Sequence, residues 1–469
     1  MVPDPRHEDD EMARDTTDDR PIEDIGELVD WIAAGAKPAD RHLIGTEHEK
    51  FLYRLADHAP VAWEGEAGIG AILDRLGERL GWEPIRDGEA IIGLADPQGG
   101  GAISLEPGGQ FELSGAPLAD LHATAAEFSA HLADLEAITN PLGIGFSGLG
   151  LSPKWRFDET PRMPKSRYRI MADYMPKVGS RGLDMMFRTS TVQVNLDFSS
   201  EADMAAKMRV GLALQPIATA LFAASPFLDG RPTGFLSTRS EIWRDTDRDR
   251  TGMLPIAFTP DFGYRAYVDW ALDVPMYFVK RGDTYHDVAG TPFRAFLDGR
   301  LADRLPGVVP AIGDWVNHLG TLFPEVRLKR YIEMRGADMG SQRHVTALSA
   351  LWVGLFADPD TLDAASRLVA DWSAAEREAL RAEVPKTALA TRFRAGTLRD
   401  VAREVLAIAR AGLSARGIVD PGSGRDETVH LEVLDEIVAS GRTLADRLLA
   451  DFAHGETCDV DRVLDATRL

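Results

Sequence analysis

The sequence predicts an α+β fold: an antiparallel β-sheet curled into an open barrel or funnel, flanked by helices, with a C-terminal part that is mainly helical. Three observations predict it. Strand-like segments with polar residues two apart recur at four places, a glycine cluster joins two apolar runs in the manner of a hairpin, and beyond residue 350 the apolar period changes to that of a helix. The chain has 469 residues, 44% of them hydrophobic, enough to fill one large core. A single domain over residues 21–469 is therefore expected, with 350–469 mainly helical.

Residues 1–20 precede it as an acidic tail, poor in apolar residues and expected to be disordered. They lack the basic start and apolar run of a signal peptide. "IEDIGELVDWIAAGAKP" then carries apolar residues at helical spacing. "LIGTEHEKFLYR", residues 43–54, reads as a strand on which Glu47 and Glu49 share one face and His48 takes the other. After the helical "GIGAILDRLGERLG" comes "AIIGLADPQGGGAISLEPGGQFELSG", a hairpin about Gly99–Gly101 that carries Glu106, Gln110 and Glu112.

A helix is expected from Ala119 to Asn140 and a short strand in "GIGFSGLGLSP". "MMFRTSTVQVNLDFSS" alternates Val192, Val194, Leu196 and Phe198 with Gln193, Asn195 and Asp197, giving a strand with one wet face. Val210–Leu228 is long enough to span a bilayer, but Gln215, Pro216 and Pro226 interrupt it, so a buried core helix is expected. A loop is expected around Arg239, Arg244, Arg248 and Arg250, with Arg244, Arg248 and Arg250 as solvated charges pairing with nearby acids. "EVRLKRYIEMRGAD" is a further strand, with Glu333 and Arg335 on one face. In the C-terminal part, Ser373-x-x-Glu376 and Thr397-x-x-Asp400 are capping boxes, and Gly417 stands where a helix ends. The stripe Leu398, Val401, Val405 and Ile408 is expected to pack on the sheet.

A net charge of −22 argues against nucleic-acid and anionic-membrane partners. The one cysteine, Cys458, excludes an intrachain disulfide and a multi-cysteine metal site. A reducing compartment fits, and a cytoplasmic location is expected. No phosphate loop, zinc helix or nucleophile elbow is present.

Four strands therefore carry polar pairs: Glu47 with Glu49, Gln110 with Glu112, Gln193 with Asn195, and Glu333 with Arg335. For any one of them the plain reading is a half-exposed antiparallel strand. Four carboxylate-rich faces converging inside a funnel would repel unless bridged by hard divalent cations, which take oxygen ligands and through them phosphates. His48, facing away, is read as structural. Arginines at 239, 327 and 335 suit an anionic substrate, because a guanidinium matches a carboxylate or phosphate bidentately.

At this point the blocks "GTEHEKF", "YMPKVGSRGLDMMFRTSTVQVNLDFSSEADM", "LALQPIATALFAASPF", "STRSEIWRDTDRDRTGMLP", "ALDVPMYF" and "FPEVRLKRYIEMRGAD", in order from about residue 43 to 340, closely resemble glutamate-cysteine ligases of the plant and proteobacterial type. "ADWSAAEREALRAEVPKTAL" extends the likeness into the helical part. The resemblance implies a glutamine-synthetase-like funnel, residues 21–469 as one catalytic domain, Mg²⁺ (with Mn²⁺ as the alternative) and ATP as co-substrate. It implies that L-glutamate is activated as γ-glutamyl phosphate and joined to L-cysteine, the first step of glutathione synthesis, by a monomer or homodimer.

By resemblance, Glu47, Glu49, Glu106, Glu112 and Glu333 match metal ligands, and Arg335 with Glu333 the residues beside the transferring phosphate. Arg239 and Trp243 match a clamp on the glutamate α-carboxylate. Met185, Met186 and Phe187 are candidates for the cysteine pocket. Two departures stand out. Gln193 occupies a metal-facing position that is histidine in more distant enteric relatives, and it can coordinate through its amide oxygen. Ser190 lies where plant sequences often read Cys, so the cysteine-pair redox switch of the plant enzymes has no counterpart here. Two alternatives remain open: a γ-glutamyl ligase for another amine, and a non-catalytic cation-binding scaffold whose wet strand faces are ordinary surface.

Overall fold

The computed structural model describes residues 16–469, so most of the expected acidic tail (residues 1–15) lies outside the described residues. One nine-stranded antiparallel sheet organises the rest: β1 (Ile44–Arg54), β2 (Glu83–Asp87), β3 (Ala90–Ala95), β4 (Gly101–Leu105), β5 (Phe111–Gly115), β6 (Ile144–Ser147), β7 (Thr191–Leu196), β8 (Val326–Leu328) and β9 (Ile332–Asp338). Its order is β8-β9-β7-β1-β5-β4-β3-β2, with β6 on the C-terminal half of β1. The expected α+β class, with an antiparallel sheet open at both edges and flanked by helices, is what the chain adopts.

β1 lies at the centre because its two faces suit two environments. Its odd positions bring Glu47 and Glu49 to a cavity, and its even positions bring Thr46, His48 and Lys50 to a helical layer. There His48 packs edge-on against Phe128, 4.4 Å between ring centroids, and Thr46 Oγ1 lies 2.8 Å from Ser349 Oγ. The helices are α3 (Leu121–Thr139), closed at its N-terminus by the Asp120 carboxylate, and α11 (Gln342–Phe356), buried from His344 onward. The structural reading of His48 therefore holds.

In chain order the other helices that matter are α1 (Ile25–Ala33), α2 (Ile69–Leu80), α4 (Arg167–Tyr174), α5 (Gly182–Arg188), α6 (Glu201–Leu221), α7 (Thr238–Trp243), α8 (Tyr264–Asp273), α9 (Phe293–Leu297), α10 (Ile312–Gly320), α12 (Pro359–Val369), α13 (Ala374–Thr387) and α14 (Leu398–Arg416). The apolar run from Val210 is the second half of α6, buried against β9 and α12, as expected of a core helix. No helix of the described residues is long and apolar enough to cross a membrane.

Three expectations are corrected. Residues 238–243 form α7 and not a loop, because Ser237 caps the segment by accepting from the Ser240 N–H at 3.2 Å. Arg250 is not solvated. It is fully buried, bonded to Asp247 at 2.6 Å and to the carbonyls of Thr321 and Pro275, with its guanidinium 3.9 Å from the Tyr277 ring centroid. The stripe on α14 meets α11, α12 and α6, and α11 stands between it and the sheet. Both capping boxes and the left-handed Gly417 are present as read.

Candidate functional site

The strand register assembles the polar face. Glu47 lies opposite Ser114 on β5 and Gln193 on β7, Glu49 opposite Glu112, and Glu333 opposite both Asn195 and Arg327. Glu106 joins them from the β4–β5 turn, which needs the positive φ of +82° at Gly109. Glu47, Glu49, Glu106, Glu112 and Gln193 all line one cavity. Its other walls come from α4, α5, α7 and α10.

Three of these carboxylates accept hydrogen bonds from neutral donors. Glu47 accepts from Gln193 Nε2 at 3.0 Å and Asn195 Nδ2 at 2.7 Å, Glu49 from the Thr191 N–H at 3.1 Å, and Glu112 from Ser104 Oγ at 2.6 Å. Burial, with the neighbouring charges of Glu333 and Glu112, pushes Glu47 up to about 7. Burial and the charges of Glu112 and Glu106 hold Glu49 well above the ordinary carboxylate range. Burial likewise raises Glu106 and Glu112. Glu333 is the opposite case: burial alone would raise it, but Arg327, Arg335 and Lys329 hold it at about 2.

This donor set fits a hard divalent cation. It consists only of oxygens, its acids repel one another, and Gln193 Oε1 is buried with no hydrogen-bond donor in reach. Among the described residues no three His, Cys, Asp or Glu side chains converge into a ready-made cage. Spread carboxylates of this kind suit Mg²⁺, which keeps water and substrate oxygens in its coordination shell.

The cationic part lies beside it. Arg239 is buried, with Nη2 donating to Thr191 Oγ1 at 2.9 Å and to the Arg335 carbonyl at 3.0 Å, while its Nε has no acceptor. Trp243, one turn along α7, lies 5.8 Å from that guanidinium, and its indole N–H is also without an acceptor. Two buried, unmatched N–H donors at a cavity wall fit a carboxylate ligand. Arg327, Lys329 and Arg335 form a second cationic group at the β8–β9 edge.

Most of the residues singled out in the sequence meet here: Glu47, Glu49, Glu106, Glu112, Gln193, Arg239, Trp243, Met185, Met186 and Arg335 share the cavity. Glu333 does not open onto it. Arg327 grips both its oxygens, at 2.7 and 2.8 Å, and Arg335 takes one of them as well. Phe187 also stays outside. Successive helical residues diverge, so it turns from Met186 toward Phe157 and lies under the Arg162 guanidinium. Sequence reasoning missed Arg167, Thr191 and Asn317 in the lining. The basic run "PKSRYR" was a usable signal for Arg167; a lone polar residue on an amphipathic helix gave none for Asn317.

Comparison with known proteins converges on one group. The model of glutamate-cysteine ligase family 2 matches residues 43–464. A chloroplastic glutamate–cysteine ligase of Arabidopsis thaliana is 55% identical over 430 residues, 92% of this chain and 80% of that protein. The chloroplastic enzyme of Medicago truncatula is 54% identical over 440 residues, 94% of this chain and 84% of that protein. The crystal structure of glutamate–cysteine ligase from Francisella tularensis in complex with AMP has a TM-score of 0.53 at 12% identity, covering 91% of this chain and 87% of that one, so it shares the fold. These relatives overturn the expected cytoplasmic location: those from Arabidopsis, Medicago, Brassica juncea and Nicotiana tabacum are all named chloroplastic.

Proposed function

The chain belongs to glutamate-cysteine ligase family 2 and makes γ-glutamylcysteine from L-glutamate and L-cysteine, and we propose that it does so with ATP and a divalent cation in the acid-floored cavity. The observation that carries this reading is the juxtaposition of three buried carboxylates, Glu47, Glu49 and Glu112, and the half-buried Glu106 with Arg239, whose Nε lacks an acceptor.

Glutamate supplies the acceptor that Arg239 lacks: its α-carboxylate meets Arg239 Nε and the Trp243 indole N–H. Its γ-carboxylate then points along the floor toward Arg335. A carboxylate is a poor electrophile, so an oxygen of this group first bonds to the γ-phosphorus of ATP as the bond to the β,γ-bridging oxygen breaks and ADP leaves. The cysteine amine next bonds to the acyl carbon, the C–O bond to phosphate breaks, and the proton that the amine loses goes to the departing phosphate. Arg335, Arg327 and Lys329 face the charge on the phosphoryl oxygens, where a fixed guanidinium stabilises it without reorganisation.

Glu47, Glu49, Glu106, Glu112 and the Gln193 oxygen would hold Mg²⁺, or Mn²⁺ in its place. When bound, the cation neutralises the acids and the phosphoryl oxygens together. Glu333 acts through Arg327 and Arg335, holding both guanidinium groups by its two oxygens. Met185 and Met186 give the acceptor pocket an apolar, polarisable wall suited to a thiol. Phe187 supports that wall from behind.

Residues 21–469 act as one catalytic unit, because strands from residue 44 to residue 338 enter a single sheet.

The test is ADP release from purified protein with Mg²⁺-ATP and L-glutamate against a panel of amines, with products weighed by mass spectrometry. A γ-glutamylcysteine mass with strong cysteine preference is expected. Turnover with a different amine would move the acceptor assignment, and no turnover at all would leave a cation-binding scaffold.

A further inference from the structure

The end of β9 holds a buried acid that the reaction itself does not use. Asp338 is 2% exposed and closes the strand that carries Glu333 and Arg335. One carboxylate oxygen, Oδ2, accepts from the Ala224 N–H at 2.9 Å and from Ser225 Oγ at 2.6 Å; the other, Oδ1, accepts from Ser237 Oγ at 2.8 Å. A methyl group on Gly150 would fall 2.4 Å from its Cγ, so neighbouring backbone closes in on it.

Both serines act on α7. Ser225 Oγ accepts from the backbone N–H of Arg239 at 3.1 Å, and Ser237 Oγ accepts from the Ser240 N–H at 3.2 Å as the helix cap. A six-residue helix holds its place by such contacts more than by its own hydrogen bonds. β9 also grips the other end of the same side chain, since the Arg335 carbonyl accepts from Arg239 Nη2. The register shift between Met334 and Ala337 brings that carbonyl and Asp338 to α7 together.

We propose that Asp338 is a positioning residue: through Ser225 and Ser237 it fixes Arg239 relative to Arg335, and so sets the span between the α-carboxylate clamp and the site of phosphoryl transfer. This rests on the reading of Arg239 as that clamp. The span is what distinguishes glutamate from aspartate, whose carboxylates are one methylene closer. An aspartate held at its α-carboxylate falls short of the phosphorus, and a loosened α7 lets it reach. Asparagine at 338 keeps the shape but offers one acceptor oxygen where two now serve three donors, so α7 loses part of its anchorage.

The experiment compares Asp338→Asn, Ser237→Ala and Arg239→Lys in the full chain, reading KM for glutamate, KM for ATP and the ratio of kcat/KM for glutamate over aspartate. Asp338→Asn is expected to raise the glutamate KM about tenfold and to lower that ratio by about threefold or more, with the ATP KM within about twofold. Ser237→Ala is expected to move the same quantities less. If Arg239→Lys raises the glutamate KM while Asp338→Asn leaves KM and ratio at wild-type values, or lowers only kcat, the positioning role is overturned. Should Asp338→Asn fail to fold, Ser237→Ala decides by the same criterion. If Arg239→Lys itself leaves the glutamate KM unchanged, the clamp reading falls, and the inference with it.

Discussion

The guanidinium of Arg239 is held by the main chain of Arg335, Nη2 donating to its carbonyl oxygen at 3.0 Å, so the arginine of α7 is tied to the strand that carries the other. That bond and the one to Thr191 occupy Nη2, while the buried Nε has no acceptor. Lysine could occupy the space but not the fork. Arg239→Lys is therefore expected to raise the KM for glutamate by about tenfold or more with a smaller change for ATP, as steady-state kinetics with each substrate varied would show. An unchanged glutamate KM would remove Arg239 from the pocket.

Gly109 stands at φ +82°, and a methyl group there would come within 3.0 Å of Ile69 Cδ1 and 3.2 Å of Met163 Cε. Its N–H donates to the Glu106 carbonyl at 2.9 Å, so any relaxation moves Glu106. Gly109→Ala is expected to cost about 1–2 kcal/mol in urea unfolding and to raise the Mg²⁺ concentration that half-saturates turnover. Wild-type values of both would show that the turn does not set the Glu106 position.

The strands were legible because a two-residue alternation is a local signal, and β1 shows it most plainly: Glu47 and Glu49 could only share a face. Where placement depended on distant partners, the sequence was silent. Arg250 sits in an Asp-Arg-Asp-Arg run that reads as solvated charge, yet carbonyls 25 and 71 residues away enclose it. The stripe on α14 identified a buried face without saying what buries it. Met186 and Phe187 looked equivalent as adjacent residues, but a helix sends them to different sides of a wall. Glu333 was recognised by its place on a strand; that both its oxygens belong to arginines follows only from the β8–β9 register.

Glu333 and Arg327 form a bidentate pair in which the acid is fully buried and the base nearly so. Glu333→Gln keeps the volume but leaves two guanidinium groups with no carboxylate. Removing one partner of such a pair destabilises by about 3–5 kcal/mol, and both guanidinium groups lose the carboxylate that orients them. Turnover is expected to fall by about two orders of magnitude or more, with a lower midpoint in thermal unfolding and retained far-UV circular dichroism. Wild-type rates in the folded variant would exclude Glu333 from the reaction.

The acids that make the cavity chemically useful make the metal-free protein less stable. Glu47 holds its proton up to about 7 in the folded chain, against an ordinary value of 4.5, because of burial and the charges of Glu333 and Glu112. A folded-state value above the unfolded one means that the native state binds the proton more tightly, so this contribution to stability is complete below about 4.5 and lost as pH rises to about 7. Glu47→Gln removes this pH dependence, because the amide stays neutral throughout. The variant and the wild type should therefore differ little near pH 4.5, and above pH 7 the metal-free variant should unfold at the higher temperature, although it is expected to be a poor enzyme. Mg²⁺ bound at the proposed site would supply the missing positive charge, so it should raise the wild-type unfolding temperature more at pH 8 than at pH 5, and more than it raises that of Glu47→Gln. Differential scanning calorimetry at the two pH values, with and without Mg²⁺, checks both statements. Equal shifts in the two proteins at both pH values would mean that Glu47 neither strains the apo-protein nor meets the cation.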